Sequence, residues 1–415
     1  MYKTIKACRI CGNKNLKTII NLGDLTLTGV FPKNVHEEIE SGPLQLVRCV
    51  GDKKTACGLV QLKHSFEQSK MYGDNYGYRS GLNRTMVDHL KDIFVLATKA
   101  VTLKNKDLII DIGSNDGTLL NNYDQKKYTL AGIDPTSKKF RDYYHKGINV
   151  FPEFFSAELV AKKFPGMKAK IITSIAMFYD LENPLAFVED IYRVLDDNGV
   201  WIFEQSYFKS MVKVNAYDTI CHEHLEYYTV RQIKWLLDQA DMKIIHVELN
   251  DTNGGSFLVT AAKKKSGLKE NTTLISRMLK EETAYGLSSD KLYVQMKEKI
   301  LAHKKELKQL LKKLRMEGKT VVGCGASTKG NVILQYCGLT AKDIPIIADV
   351  NEYKHGRVTP GSKIPIASEE EVRKLHPDYM LVLPWHFKAN LIKREASYTQ
   401  SGGKLIFPLP KIEIL

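Results

Sequence analysis

Alternating strand-like and helix-like segments predict an α/β protein of three parts for this 415-residue chain. Three observations support the prediction. Four cysteines cluster before residue 70, seven apolar runs lie between residues 107 and 262, and a second glycine-rich strand-turn-helix unit begins at Thr320. We expect domains at 1–70, 71–285 and 320–415, with residues 286–319 forming a linker helix.

The composition is that of an ordinary folded protein, with 43% hydrophobic and 26% charged residues. No apolar run approaches the ~18 residues of a membrane span, and the first residues lack the apolar core of a signal peptide. We therefore expect a cytoplasmic protein with no membrane partner, whose cysteines are thiols or metal ligands rather than disulfides. The oligomeric state stays open, with a monomer as the default expectation.

The net charge of +14 suggests a polyanionic partner at first sight. Part of the excess lies in residues 297–319, which hold nine basic side chains against three acidic ones. Leucines in this stretch follow the spacing of an amphipathic helix: Leu307, Leu310, Leu311 and Leu314. Because charge runs on helices usually face water, we expect a solvated helix face, with a nucleic-acid or membrane surface as the alternative.

The first part carries two cysteine pairs. Cys8 and Cys11 form a tight Cys-x-x-Cys turn, and Cys49 and Cys57 form a wider pair. Four thiolates satisfy tetrahedral zinc, and a domain of this size has little core of its own. We therefore expect structural zinc, while unpaired buried cysteines or a redox pair remain the alternatives.

The middle part begins with a buried strand over residues 107–113 that runs into a turn at residues 114–118. Gly113 and Gly117 allow a ligand to approach the backbone, and a following helix would begin at that ligand. The second strand, residues 128–133, ends in Asp134-Pro135. An acidic residue about 20 positions after the glycine turn can accept hydrogen bonds from ribose hydroxyls.

Further strands are expected downstream, at residues 148–151, 169–175, 200–204, 243–248 and 256–262. Seven strands, of which the last two are close enough for a hairpin, predict a doubly wound sheet with an antiparallel edge. This pattern resembles the class I S-adenosylmethionine-dependent methyltransferases. The resemblance implies that the cofactor is bound by Asp111, Gly113, Ser114, Asn115, Gly117, Asp134 and Pro135. An NAD-type site would need Gly-x-Gly-x-x-Gly, and a ligand-free sheet is the other alternative.

The third part opens with a strand and a glycine-rich turn at residues 321–326, followed by a helix start. Backbone N–H groups in such a turn favour an anion. The predicted substrate-binding residues here are Ser327, Thr328, Lys329, Asn331 and Asp349. Further strands at residues 346–348 and 379–383 predict a small Rossmann-like domain. This domain either holds a second nucleotide site or has only a structural role.

Titratable residues are concentrated between the fifth and sixth strands, at residues 217–228. His222 and His224 flank Glu223, and histidine is a common general base for removing a proton next to a carbonyl. A metal site built from these three residues is the rival interpretation, and a hydrogen-bonded polar loop without a function is the third.

Taken in order, the cysteines, residues 76–80, 111–117, 217–228 and 323–331 resemble the nucleotide-sugar C-methyltransferases, which methylate 4-keto-deoxysugars at C3. The resemblance implies zinc in the first domain, S-adenosylmethionine in the second and the nucleotide-linked sugar in the third. It also implies that His224 is the base, with Glu223 beside it and Tyr76 as an early tyrosine. Tyr76 or Tyr78 would donate a hydrogen bond to the developing oxyanion.

The sequence departs from that family at two places. Cys221 stands where the family usually has a tyrosine before His-Glu-His, and seven residues separate Cys49 from Cys57. A different class of function remains as the alternative: a zinc-ribbon, nucleic-acid-binding methyltransferase that uses the basic charge.

Overall fold

The N-terminal part is built from short antiparallel strands. The computed structural model describes residues 2–52, 56–72 and 78–415. The first elements are β1 (Tyr2–Thr4), β2 (Leu16–Thr26), β3 (Ser41–Cys49), β4 (Val60–Leu62), β5 (His64–Phe66) and the helix α1 (Gln68–Met71). β1 pairs with β5, while β2, β3 and β4 lie side by side in a second sheet.

The middle part alternates strands and helices. Its helices are α2 (Arg84–Ala100), α3 (Ala157–Lys163), α4 (Pro184–Val194), α5 (Phe208–Lys213), α6 (Val230–Gln239) and α7 (Thr272–Ala284). Its strands are β6 (Leu108–Ile112), β7 (Thr129–Ile133), β8 (Asn149–Phe151), β9 (Ala169–Ile175), β10 (Leu195–Ser206), β11 (Glu226–Tyr227), β12 (Met242–Asn250) and β13 (Ser256–Lys263).

A seven-stranded sheet confirms the predicted fold class, with the order β12-β13-β10-β9-β6-β7-β8. The predicted antiparallel hairpin is present at one edge of this sheet, formed by β12 and β13. β13 runs antiparallel to both β10 and β12, so the reversed strand is the second from the edge and β12 at the edge runs parallel to the rest. The hairpin between β12 and β13 folds the last strand back into the sheet.

The helix expected directly after the glycine turn is replaced by an irregular segment. Gly113, Asn115 and Gly117 all have positive φ angles, of 71°, 48° and 76°. Backbone in that left-handed region cannot continue a right-handed helix. Only a single 3₁₀ turn follows, at Leu120–Asn122.

The C-terminal part begins with a long helix and continues as a Rossmann-like unit. Its helices are α8 (Asp290–Met316), α9 (Thr328–Cys337), α10 (Glu369–Arg373), α11 (Lys388–Arg394) and α12 (Ala396–Gln400). Its strands are β14 (Val321–Cys324), β15 (Ile347–Ala348), β16 (Ile366–Ala367), β17 (Tyr379–Val382), β18 (Lys404–Phe407) and β19 (Glu413–Ile414). The order is β16-β15-β14-β17-β18-β19, and only β19 pairs antiparallel in this sheet of described residues.

Helix α8 is amphipathic, as its leucine spacing predicts. Leu307, Leu311 and Leu314 are buried in one core with strands of the N-terminal and C-terminal sheets. The basic residues between 297 and 319 are exposed, apart from the partly buried Lys304. Within the described ranges, no helix is both long and apolar enough to cross a membrane.

One strand pairing brings the titratable segment against the N-terminal part. Glu226 and Tyr227 of β11 pair with Gln61 and Val60 of β4. Because β11 begins two residues after His224, the N-terminal sheet helps to fix the position of that segment.

Candidate active site

A cavity of about 770 Å³ opens at the carboxyl ends of β6, β7 and β9, and residues of all three parts bound it. This edge of an open α/β sheet is where ligands usually bind. The predicted site residues that line it are Tyr78, Asp111, Gly113, Ser114, Asn115, Asp134, Pro135, Glu223, His224, Ser327, Thr328 and Lys329. Tyr76 lies outside the described residues.

The turn after β6 and the end of β7 are hydrogen-bonded to each other. Asn115 N donates to Asp134 Oδ2 at 2.8 Å, and Thr136 N donates to Asp134 Oδ1 at 2.6 Å. Burial raises the pKa of Asp111 to about 7, and a hydrogen bond from Thr173 Oγ1 opposes that shift. A positive charge on a ligand bound beside this carboxyl group would lower the pKa and favour the ionised form.

Gly117 does not line the cavity, but its lack of a side chain is needed for the packing of this turn. A side chain at Gly117 would clash with the Tyr144 ring, which lies 2.6 Å from the position of a Cβ. The Tyr144 hydroxyl donates to Asn115 O at 2.8 Å and also contacts Ser114 Oγ at 2.8 Å. Gly117 therefore makes room for the tyrosine that braces the turn.

His224 is held in one tautomer. Its Nδ1 lies 2.9 Å from the carbonyl oxygen of Thr219, so Nδ1 carries the proton and Nε2 is the acceptor. The ring packs edge-on against Tyr179, with centroids 4.3 Å apart. Burial, followed by the positive charge of Lys329, lowers the pKa of His224 to about 3. His224 is therefore a neutral imidazole at physiological pH.

Glu223 is positioned by the N-terminal part of the chain. Its Oε2 accepts a hydrogen bond from Thr28 Oγ1 at 3.2 Å, and burial raises the pKa of its carboxyl group. Asn331, predicted to bind substrate, instead donates from Nδ2 to Thr28 O at 2.7 Å. Asn331 thus fixes the position of Thr28, whose hydroxyl group hydrogen-bonds to Glu223.

His222 points away from the cavity. It is completely buried, packs edge-on against Phe66 with centroids 4.7 Å apart, and places Nε2 3.4 Å from Gly42 O. Burial lowers its pKa to about 4. The position of His222 does not support its predicted catalytic role, because its ring packs on Phe66 and does not line the cavity.

The glycine-rich turn before α9 is already occupied by an internal carboxylate. Gly323 N and Gly325 N donate to backbone carbonyls in and beside β15, and Ala326 N donates to Asp349 Oδ2 at 2.7 Å. Lys354 Nζ lies 3.3 Å from the same oxygen. Asp349 therefore takes the position that we expected a ligand anion to take, and it does not line the cavity.

Several residues that line the cavity escaped the sequence analysis: Asp180, Asn253, Lys354 and His386. Asp180 lies beyond the end of β9 and accepts a hydrogen bond from the Tyr72 hydroxyl at 2.7 Å. It could have been found, since acidic residues follow neighbouring parallel strands at the same edge. The other three lie on turns whose approach to the cavity no local pattern predicts.

The cysteines converge at a separate place. Single ligand atoms of Cys8, Cys11, Cys49 and Cys57 all lie within 4.8 Å of one another. In the described part of the chain, this is the only group of three or more His, Cys, Asp or Glu residues with metal-binding spacing. A shared metal at His222, Glu223 and His224 therefore has no support in the structure.

Cys221, where the resembled family usually has a tyrosine, lies outside the cavity. The residue is completely buried and does not line the cavity, and burial raises the pKa of its thiol. A thiol in this state is neutral, so it supplies no charge to the site.

Comparisons with known proteins agree with this architecture. Three family models match in order: "Putative zinc binding domain" over residues 8–72, "Methyltransferase domain" over 78–247 and "C-methyltransferase C-terminal domain" over 251–410. C-methyltransferase NovU from Streptomyces niveus is 27% identical over 427 residues, covering 100% of this chain and 98% of that protein.

Solved structures give partial matches. An O-methyltransferase family protein from Burkholderia thailandensis is 15% identical with a TM-score of 0.36, over 49% of this chain and 64% of that one. Magnesium protoporphyrin IX methyltransferase from Synechocystis with bound SAH is 13% identical with a TM-score of 0.33, over 47% and 92%.

The sheet order and the site at its carboxyl edge define a S-adenosylmethionine-dependent methyltransferase. The three matched domains cover nearly the whole chain in one order. The chain is therefore similar along its whole length to a C-methyltransferase in which these three domains follow one another.

Proposed function

We propose that this protein adds a methyl group to C3 of a nucleotide-linked 4-keto-deoxysugar, in the synthesis of branched-chain sugars. The observation that carries the proposal is the fixed tautomer of His224, whose acceptor nitrogen belongs to a ring lining the same cavity as the methyl-donor turn. The resemblance of the His-Glu-His segment to sugar C-methyltransferases supplies the substrate class.

The residues at the carboxyl ends of β6 and β7 fit S-adenosylmethionine. Asp111 and Asp134 offer buried carboxyl groups beside the turn at Gly113, where a Cβ would lie only 3.0 Å from Met177 Cγ. When bound, S-adenosylmethionine supplies an electrophilic methyl group on a positively charged sulfur. The proposed contacts come from Asp111, Gly113, Ser114, Asn115, Asp134 and Pro135.

The chemical task of the protein is to make C3 nucleophilic. The ketone at C4 acidifies the C3 proton, which His224 Nε2 removes. The electron pair of the C–H bond forms the C3–C4 double bond, and the carbonyl electrons move to the C4 oxygen. Bound S-adenosylmethionine would supply the methyl group that this carbon takes up, the methyl–sulfur electron pair staying on sulfur, and the His224 imidazolium would later lose its proton to water.

The environment of His224 suits this step. Burial disfavours an isolated imidazolium, which keeps the base neutral and ready to accept a proton. The enolate formed beside it then offsets that penalty, since the two charges have opposite signs. We infer that Glu223 and Tyr78 contact the sugar, since both line the cavity.

We propose that Cys8, Cys11, Cys49 and Cys57 bind a zinc ion, since four sulfur donors at this spacing match a tetrahedral structural site.

We also propose the division into domains 1–70, 71–285 and 320–415 with a helix between the last two. Packing of Ile275 and Met278 of α7 against the seven-stranded sheet supports the boundary near residue 285.

The test is product analysis. The protein is incubated with S-adenosylmethionine and TDP-, GDP- and CDP-linked 4-keto-6-deoxyhexoses, and each product is examined by mass spectrometry and NMR. We expect one added methyl group on C3 with one of these nucleotides. Methylation of an oxygen or of C5, or no methylation of any sugar, would contradict the proposal.

A further inference from the structure

Lys329 enters the methyltransferase cavity from the C-terminal domain. It is the second residue of α9, and Ser327 caps this helix by accepting a hydrogen bond from Gly330 N at 3.0 Å. Its Nζ reaches the turn between β12 and β13, where it donates to Asn253 O at 2.9 Å. The side chain therefore crosses from one domain to the other instead of staying beside its own glycine-rich turn.

No carboxylate of the described residues lies within ion-pair distance of Lys329 Nζ; burial lowers the pKa of Lys329, and the charge of Asp218, farther away, opposes that shift. Among the residues that the structure describes, its single hydrogen bond goes to a neutral carbonyl group. An ammonium group has three donors, so two remain for a ligand. Lys354, the other lysine on the cavity wall, differs because its Nζ lies 3.3 Å from Asp349 Oδ2.

The surroundings place this cation beside the proposed base. Lys329 and His224 line the same cavity, and the charge of Lys329 contributes to lowering the pKa of His224. The turn at Asn253, which accepts the hydrogen bond from Lys329, also packs on the C-terminal domain. A Cβ at Gly254 in this turn would lie 3.4 Å from the Trp385 ring. Trp385 Nε1 in turn donates to Asp218 Oδ2 at 2.7 Å, in the segment that leads to His224.

We propose that the Lys329 ammonium group binds the C4 oxygen of the substrate and stabilises the enolate that forms when His224 removes the C3 proton. This inference rests on the proposed function and changes the predicted role of Lys329 from a ligand of the nucleotide's anionic group to a catalytic residue. The carbonyl double bond becomes a C–O⁻ bond in this step, so negative charge appears on that oxygen. A fixed cation in a partly dehydrated cavity stabilises that charge more than it stabilises the neutral ketone.

The experiment separates proton removal from methyl transfer. The full-length protein is mixed in D₂O with S-adenosylhomocysteine and TDP-4-keto-6-deoxyglucose, or with the sugar nucleotide identified by product analysis, and exchange at C3 is followed by NMR. Lys329→Met and Lys329→Gln remove the charge, and the glutamine keeps a donor for Asn253 O. Lys388→Met is the matched control, since Lys388 begins α11 in the same domain and pairs with Glu413 at 2.7 Å.

We expect both Lys329 variants to lose about 10²–10³-fold in exchange rate at saturating sugar, which is the usual effect of removing one oxyanion donor. The KM for the sugar nucleotide should change little, and binding of S-adenosylhomocysteine by calorimetry should persist and show that the variants fold. Lys388→Met should behave as the parent protein.

An unchanged exchange rate in the Lys329 variants, or a raised KM with a normal rate at saturation, overturns the inference while the proposed function stands. If the parent protein neither exchanges nor methylates C3 of any sugar tested, the proposed function fails and this inference fails with it.

Discussion

The Thr28 hydroxyl group lies 3.2 Å from Glu223 Oε2 and links the N-terminal domain to the proposed catalytic segment. Asn331 from the C-terminal domain holds the Thr28 carbonyl at 2.7 Å. Glu223 itself lies in the middle part, in the segment between α5 and β11. Residues far apart in the chain therefore fix one carboxyl group, and substitutions in either terminal domain should affect catalysis.

Gly29 tests this arrangement directly. A Cβ at Gly29 would lie 2.3 Å from Glu223 Oε1, so Gly29→Ala should displace the carboxyl group from its present position. We expect about a tenfold or greater loss in kcat with binding of S-adenosylmethionine retained, since misplacement of a catalytic group slows the chemistry. Gly267→Ala is the control, because no atom lies within 4 Å of a Cβ there. Equal activity of the two variants would argue against a role for the position of Glu223.

The two histidines of the His-Glu-His segment should behave differently. His224→Ala should lower the rate of C3 proton exchange by about 10²–10⁴-fold, the usual contribution of a general base. His222→Phe should keep that rate, because His222 packs on Phe66 outside the cavity. NMR of the sugar in D₂O measures both rates. Exchange at the parent rate in His224→Ala would show that the base is another group.

Asp111 should release a proton when the methyl donor binds. Burial raises its pKa to about 7, and the positive charges of S-adenosylmethionine lower the pKa of a neighbouring carboxyl group. Near pH 7 we expect release of about half a proton, measured by calorimetry in buffers of different ionisation enthalpy. Asp111→Asn should release none, and equal release by both proteins would exclude Asp111 as the source.

The raised pKa of Asp111 also affects the stability of the protein in the absence of ligand. An acid whose pKa is higher in the folded state than its unfolded value of about 4 stabilises the fold when protonated. That contribution is present below pH 4 and is lost as the pH rises towards 7. Urea unfolding of the parent protein should therefore show a steeper loss of stability in this window than Asp111→Asn. Parallel curves would contradict the raised pKa.

Arg9 should couple the cysteine cluster to the catalytic segment. It lies between Cys8 and Cys11, donates to Leu62 O at 2.6 Å and to Ser65 Oγ at 2.8 Å, and places Nε 3.4 Å from Glu226 Oε1.

Arg9→Met should cost about 3–5 kcal/mol of unfolding free energy, as for other broken buried charge networks. Glu226→Gln should cost less, since Arg9 keeps its hydrogen bonds to Leu62 O and Ser65 Oγ and the glutamine amide still offers an acceptor oxygen. Urea unfolding monitored by circular dichroism compares the two variants. Equal losses would mean that the network of Arg9 adds nothing beyond its contact with Glu226.

Removal of metal should unfold the N-terminal domain first. Four thiolates brought within 4.8 Å of one another repel unless a cation or protons neutralise them. We expect about one zinc per chain by elemental analysis, and a lower melting temperature after treatment with a chelator. Cys11→Ser should lose the metal, whereas Cys337→Ser, outside the cluster, should retain it. A protein that binds no zinc and keeps its melting temperature with chelator would contradict the site.

Local patterns predicted the elements of the fold well. The strand runs around Asp111 and Asp134, the glycine-rich turn at Gly323 and the amphipathic helix with Leu307 are all present, because each depends on short-range spacing of apolar and small residues. The segment after Gly113 was predicted wrongly as a helix, since the left-handed conformation of Asn115 cannot be read from propensity alone.

Site residues were harder to separate from their neighbours. His222 and His224 look alike in sequence, and only the packing of Phe66 and Tyr179 distinguishes them. Asp349 lies in the expected turn, but the turn uses its carboxylate internally. In each case the deciding contact comes from a residue far away in the chain.

The sequence by itself predicted most strands and helices, the glycine-containing turn after β6 and the titratable segment, because periodicity and motif spacing are local properties of the chain. The tertiary structure alone decided which of those residues share a cavity. It placed β11 in the N-terminal sheet, directed Lys329 into the cavity beside His224 and filled the glycine-rich turn with Asp349. Those outcomes depend on burial and on hydrogen bonds between segments that are far apart in the sequence. Such segments meet only when the chain is folded.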